Sequence, residues 1–266
     1  MAKSSEVYPT LKVDHIKNPS FFYAFPLVGI LAKVIMLIPV YIELLFLAIA
    51  YIFLILINSL VVLFTGKYWE VAYTLTIGIF RLSTKTMLFT FGLSNKYPGF
   101  NLDNSDPLIS VDYPMPQKPN RLFAFPILGG LARMILLIPF FIYSYVVQYA
   151  SGLGVFVSFF PVLFMRRYPE STYEFARDHT RLQLASSVYL SGLSDSYPSF
   201  WISMNHKAIK IILIVIAVLF ILTNNAVSIM APQPNYNNYN NYYYQDSMPQ
   251  QDGNMMQYQD TQTTDY

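Results

Sequence analysis

The sequence predicts an all-α integral membrane protein made of two tandem copies of one unit, and three observations carry that prediction. Residues 21 to 100 and 121 to 200 align without a gap, with about a third of positions identical, among them Phe25 and Phe125, Pro39 and Pro139, Arg81 and Arg181; similarity at a fixed spacing marks a duplicated unit. Apolar residues make up 54% of the chain and charged ones 12%, with a mean hydropathy of +0.38, a balance too poor in charge for an ordinary water-soluble protein. The stretch from Phe25 to Phe64 carries only Lys33 and Glu43 as charges, and a helix needs about 20 residues to cross a hydrocarbon core.

The first twenty residues hold Lys3, Glu6, Lys12, Asp14 and Lys17 without an apolar core, so a cleavable secretory leader is not expected. In the first unit, Pro39 lacks an amide hydrogen and crowds the preceding turn, so it is expected to divide the apolar stretch into a short limb, 25 to 38, and a longer one, 40 to 64. Pro139 is expected to do the same in the second unit. Lys33 and Arg133 are equivalent and would reach lipid headgroups from a short limb lying shallow in the bilayer. A basic turn follows, with Lys67 in one copy and Arg166 and Arg167 in the other, and Pro169 suits the first turn of a new helix.

That helix carries Glu70, Thr74, Arg81 and Lys85 in one copy and Glu170, Glu174, Arg177 and Arg181 in the other, spaced along one face. Burying Arg177, Asp178 and Arg181 at mid-bilayer costs about 2.5–3.5 kcal/mol each, so the helix is expected along the membrane surface with its polar face wet. The alternative is a crossing in contact with other helices that pair those charges. Each unit closes on Gly-Leu-Ser and a Tyr-Pro-x-Phe turn, at 92 to 100 and at 192 to 200. Residues 101 to 120, with Pro107, Pro114, Pro116, Pro119 and three aspartates, read as an aqueous linker.

A third apolar run, 208 to 230, is long enough to cross once. The segments are therefore a polar amino terminus (1–20), unit one (21–100), linker (101–120), unit two (121–200), a carboxy-terminal transmembrane helix (201–230) and a tail (231–266). The tail is rich in Asn, Gln and Tyr without a basic residue, a composition expected to be disordered alone. Lysine and arginine bias places the amino terminus and linker in the cytoplasm and the tail outside. With the basic turns cytoplasmic too, each apolar stretch becomes a re-entrant hairpin.

The chain has no cysteine and three scattered histidines, His15, His179 and His206, so no metal site or other cofactor is expected. No nucleophile elbow, zinc-binding helix motif or phosphate-binding glycine loop occurs, and no enzyme is expected. A net charge of +2 without a basic, aromatic platform argues against nucleic acid. The candidate site residues are those able to meet headgroups, Lys33, Lys67, Arg81, Arg133, Arg167 and Arg181, against simple snorkelling as the bland reading. A polar membrane site could use Glu43, Arg177 and Asp178. Ion pairs along the helix face are the plainer account of Glu174, Arg177, Asp178 and Arg181, and Tyr143 stands where Glu43 stands in the first unit.

The run AFPLVGILAKVIMLIPVYI, then VVLFTGKYW, IGIFRLSTK and GLSNKYPGF, resembles a widespread bacterial family known only as a membrane domain of unknown function. The likeness covers both units. Trp69 stands where that pattern has proline, and Met165, Arg166 and Arg167 replace Thr-Gly-Lys in the second unit. The resemblance implies a bacterial inner-membrane protein and brings no activity with it. The expected role is a non-enzymatic scaffold that organises membrane and presents its tail, with lipids and protein partners or further copies of itself as its company; the alternative is an accessory or channel-like subunit of a transport system.

Overall fold

A run of residues that is apolar on every side satisfies its backbone polar groups away from water only by coiling as helix, and the longest such runs here do so. The computed structural model describes residues 9–16, 18–20, 28–104, 106, 109–203 and 205–230. Among them lie strands β1 (Thr10–Val13) and β2 (Ile109–Asp112) and helices α1 (Val28–Thr65), α2 (Glu70–Thr90), α3 (Leu128–Leu136), α4 (Ile138–Met165), α5 (Glu170–Leu190) and α6 (Lys207–Met230). The chain divides into two units, Met1–Ile221 and Leu222–Tyr266; of the second, residues 222–230 are described and are helical. The tail at 231–266 lies outside the described residues, as do Phe25 and Pro26. Three helices, Val28–Thr65, Ile138–Met165 and Lys207–Ala226, are long and apolar enough to cross a membrane.

Pro39 does not divide the first apolar stretch. α1 runs through it as one helix of 38 residues, about 57 Å long at 1.5 Å per residue, so no hairpin forms there. Pro39 faces outward, while Leu37 and Val40 on either side are buried in a cluster with Leu82 and Phe89 of α2. Packing on both sides of the proline holds the helix in line. The second stretch does divide, at Leu137, whose amide is shared between the carbonyls of Arg133 and Met134. Along α1 the buried row is Gly29, Lys33, Leu37 and Val40, then Asn58 and Val62; in α3 and α4 it is Gly129, Arg133, Leu137 and Phe140, then Ser158 and Val162. The opposite faces expose large apolar side chains from Leu31 to Phe64 and from Leu131 to Met165.

α2 and α5 are core helices, buried over most of their length, and not helices lying alone on a surface. They pack on α1 and α4 and on each other. One core cluster joins Val62, Tyr68 and Ala72 to Leu184, Val188 and Leu193; a second joins Val162, Tyr168 and Ala176 to Leu88 and Leu93. Each cluster thus takes the start of one core helix and the end of the other. Of the polar residues on these helices, Glu70, Thr74 and Glu170 are exposed, Arg81, Glu174, Arg177 and Arg181 are half-buried, and Lys85 and Asp178 are buried.

The chain is also not purely α. β1 and β2 pair antiparallel, with Leu11 opposite Val111 and Thr10 opposite Asp112, so part of the linker is structured. Ile109 and Val111 are buried while Asp112 is exposed, the alternation of a strand with one covered face. The surrounding prolines hid this short period. Tyr73 of α2 donates its hydroxyl hydrogen to the carbonyl of Tyr113, just after β2, at 2.7 Å, and Tyr173 of α5 donates to that of Asp14, just after β1, at 2.6 Å.

Candidate functional site

The groups most able to do chemistry are charged side chains inside an apolar protein, so their partners decide what remains available. Lys33 and Arg133 are buried at 4% and 3% exposure and point at the carboxy-terminal ends of α2 and α5. Arg133 donates to the carbonyls of Tyr189 and Ser194 and pairs with Asp195, and stacks over the rings of Phe123 and Tyr189. Lys33 lies over the Phe89 ring, 5.5 Å from its centre. A cation there complements the negative end of the helix. Their charges are therefore spent inside the protein, not at its lipid-facing surface.

Glycine makes room for both cations. α2 and α5 each end on a glycine in the left-handed region, Gly92 at φ +74 and Gly192 at φ +75; a Cβ would sit 3.3 Å from Lys33 Nζ and 3.8 Å from Arg133 Nη2. The turn is closed after α2 by Leu93 N–H donating to Leu88 C=O at 2.9 Å and after α5 by Gly192 N–H donating to Tyr189 C=O at 3.2 Å, closures expected where glycine ends a helix. A cavity of about 140 Å³ lies between Asn58, Tyr68, Asn120, Arg133 and Ser191. A smaller one lies among Ser20, Lys33, Phe91, Phe159 and Tyr168.

Arg81 and Arg181 hold the segments that leave their helices. Arg81 Nε donates to Val111 C=O at 3.1 Å, with Asp112 3.9 Å from its Nη2. Arg181 donates to Trp201 C=O at 3.0 Å and lies over the Trp201 ring. Arg177 and Asp178 do not form part of a ladder along α5; they pair with each other at 3.2 Å. Asp178 also accepts from the Ser203 amide at 2.6 Å, and Lys210 of α6 lies 3.9 Å from it and 3.7 Å from Glu174. Burial alone would raise the Glu174 carboxyl, but the Asn205 amide, Lys210, Arg177 and Ser203 bring it below its ordinary value. Sequence reasoning missed Lys210, 32 residues beyond Asp178 in the chain, and the only signal was a lysine at the start of an apolar helix.

Among the described residues five buried side-chain atoms lack a hydrogen-bond partner: the hydroxyls of Thr76, Ser151 and Tyr168, Oε2 of Glu43, half-buried on α1, and Nδ1 of the fully buried His179. Burial holds the His179 pKa down at about 4. Among the described residues no three histidine, aspartate or glutamate side chains gather as metal ligands.

Lys67, Arg166 and Arg167 are exposed and form no ion pair among the described residues. They follow directly on Phe64 and Phe164, exposed at 77% and 78%. Beside Arg167 a groove of about 730 Å³ is lined by His15, Ile16, Pro161, Met165, Tyr168 and Glu170. The arrangement can bind polar, charged groups at the end of an apolar helix.

A family described as a domain of unknown function (DUF4389) matches residues 129–202. No curated protein and no solved structure matches the chain.

Proposed function

We propose that this protein is a non-enzymatic membrane scaffold: two copies of one unit that spread apolar helices into a bilayer and hold them on a polar-braced core. The observation that carries this reading is the division of labour among side chains. Buried cations and carboxylates brace backbone ends, while the outer faces of α1, α4 and α6 are almost wholly apolar. Such faces bury in hydrocarbon at about 25 cal/mol per Å². α6 serves as the carboxy-terminal crossing, and the tail at 231–266 offers tyrosine and amide groups to protein partners. The location is a bacterial inner membrane, with the amino terminus in the cytoplasm and the tail outside.

Reconstitution into vesicles tests this directly: the protein is expected to tubulate them or to sort to the most curved ones as its density rises. Vesicles that stay spherical and unsorted at every density would remove the scaffold reading. A second reading, a channel-like or accessory subunit of a transport system, is favoured by one observation, the unpartnered Glu43 carboxyl oxygen in an apolar helix. On that reading Glu43→Gln abolishes a flux that depends on the protein. Because the chain has no cysteine, single cysteines at Lys67 and Arg167 also report on which side of the membrane each turn lies.

A further inference from the structure

We propose that the groove between the α4–α5 turn and the segment leaving β1 binds one phospholipid headgroup carrying both a phosphate and a primary ammonium, the phosphoethanolamine class. Arg167 and Glu170 line this one groove, lie three residues apart, and make no ion pair with each other or with any described residue. A guanidinium recognises phosphate oxygens by paired N–H donors. The carboxylate beside it repels a headgroup that is only anionic, and accepts hydrogen bonds from an –NH₃⁺ group. A quaternary ammonium has no N–H to donate to it. The lining is therefore matched in sign to a zwitterion with a donor at its cationic end.

The rest of the groove suits the remainder of such a molecule. Pro161, Met165 and Ile16 give it an apolar side, and Met165 is 71% exposed at the end of α4, so an acyl chain can continue along the helix face. Its volume, about 730 Å³, falls in the range of small-ligand sites. The wall opposite α5 is fixed: Tyr173 holds the Asp14 carbonyl at 2.6 Å, and the His15 ring lies 4.5 Å from that of Tyr173. The order cation, tyrosine, one residue, glutamate recurs at Lys67 to Glu70. The proposal rests on reading α4 as a membrane helix, but not on any bending of the bilayer.

Native mass spectrometry of the full chain in detergent, titrated with short-chain phosphatidylethanolamine, phosphatidylglycerol and phosphatidylcholine, tests it. The ethanolamine lipid is expected to bind about tenfold tighter than either competitor, the effect of one charge-assisted hydrogen bond. Glu170→Gln is expected to erase that preference, and Arg167→Gln to weaken all three lipids. Glu70→Gln, the same change in the other half, leaves the preference in place. Equal binding of the three lipids by the unaltered protein overturns the proposal, as does a preference that survives Glu170→Gln. A preference without tubulation keeps the groove and removes the scaffold; tubulation without a preference does the reverse.

Discussion

The two halves of the molecule share an arginine that holds the segment leaving a core helix, but the second group that pins this segment has the opposite charge in each half. In the first, Lys85 reaches out from α2 and donates to the carbonyls of Asn101 and Asp103 at 3.4 and 3.1 Å. In the second, position 185 is alanine and Asp178 accepts the Ser203 amide instead. The first half has Gly78 where the second has Asp178, and Leu102 packs so closely there that a Cβ would lie 2.9 Å from its own. The difference follows from what comes next. Only the second exit continues into an apolar helix whose Lys210 is buried at 3% exposure, and a buried ammonium needs carboxylates nearby.

Breaking that contrast is expected to give the largest effect. Asp178→Ala removes the carboxylate shared by the Ser203 amide, Arg177 and Lys210 and leaves Lys210 with Glu174 alone; it should cost about 3 kcal/mol, read as a fall in thermal midpoint in detergent, whereas adding Lys210→Met should recover part of the loss. A single-variant loss below about 1 kcal/mol would mean the cluster does not hold the helix. Acid should also find the second half first. Burial keeps His179 neutral, its pKa pushed down to about 4, while an unfolded imidazole takes up its proton near 6.5. Between those values the unfolded chain binds more protons, so stability is full above pH ~6.5 and falls as pH drops toward 4, by about 3 kcal/mol at most. Unfolding followed against pH should lose this slope in His179→Gln; Ile79 occupies the matching place in the first half.

Smaller changes sharpen what the halves share. Gly92→Ala and Gly192→Ala each force a side chain into the left-handed region, at about 1–2 kcal/mol, with Gly92 the costlier because Lys33 lies nearer. Equal thermal midpoints for Gly92→Ala and the unaltered protein would refute that placement of Lys33. Smallest is a difference between the turns. Asn58 accepts the Trp69 amide at 2.9 Å, but Pro169 has no amide hydrogen, and Ser158 instead bonds Thr172 at 2.6 Å. Asn58→Ala should cost about 1–2 kcal/mol and Ser158→Ala less, by the same measurement.

Much of the outline was legible because its causes are local. Runs poor in charge and long enough for a bilayer give α1, α4 and α6, and the glycines at 92 and 192 end α2 and α5 where the sequence places them. What escaped depends on distant parts of the chain. Nothing near Lys33 or Arg133 says that a helix end waits for them; nothing near Pro39 says that Leu82 and Phe89 will splint the helix across it. The pairing of Leu11 with Val111 is likewise invisible in two four-residue strands. For the candidate site, Lys67 and Arg167 stand out in the sequence by their place after an apolar run, and both are exposed, whereas Glu170 and His15 join the groove only through the fold.

The ribbon of β1 and β2 sets an order on biosynthesis. Thr10–Val13 leaves the ribosome early, yet its mate is made about a hundred residues later, and Asp14 is gripped by a tyrosine later still. Until then the nascent protein carries an open strand edge and a core face missing its lid. A polypeptide that stops between the units has no β2 to pair with β1 and no Tyr173 to hold Asp14.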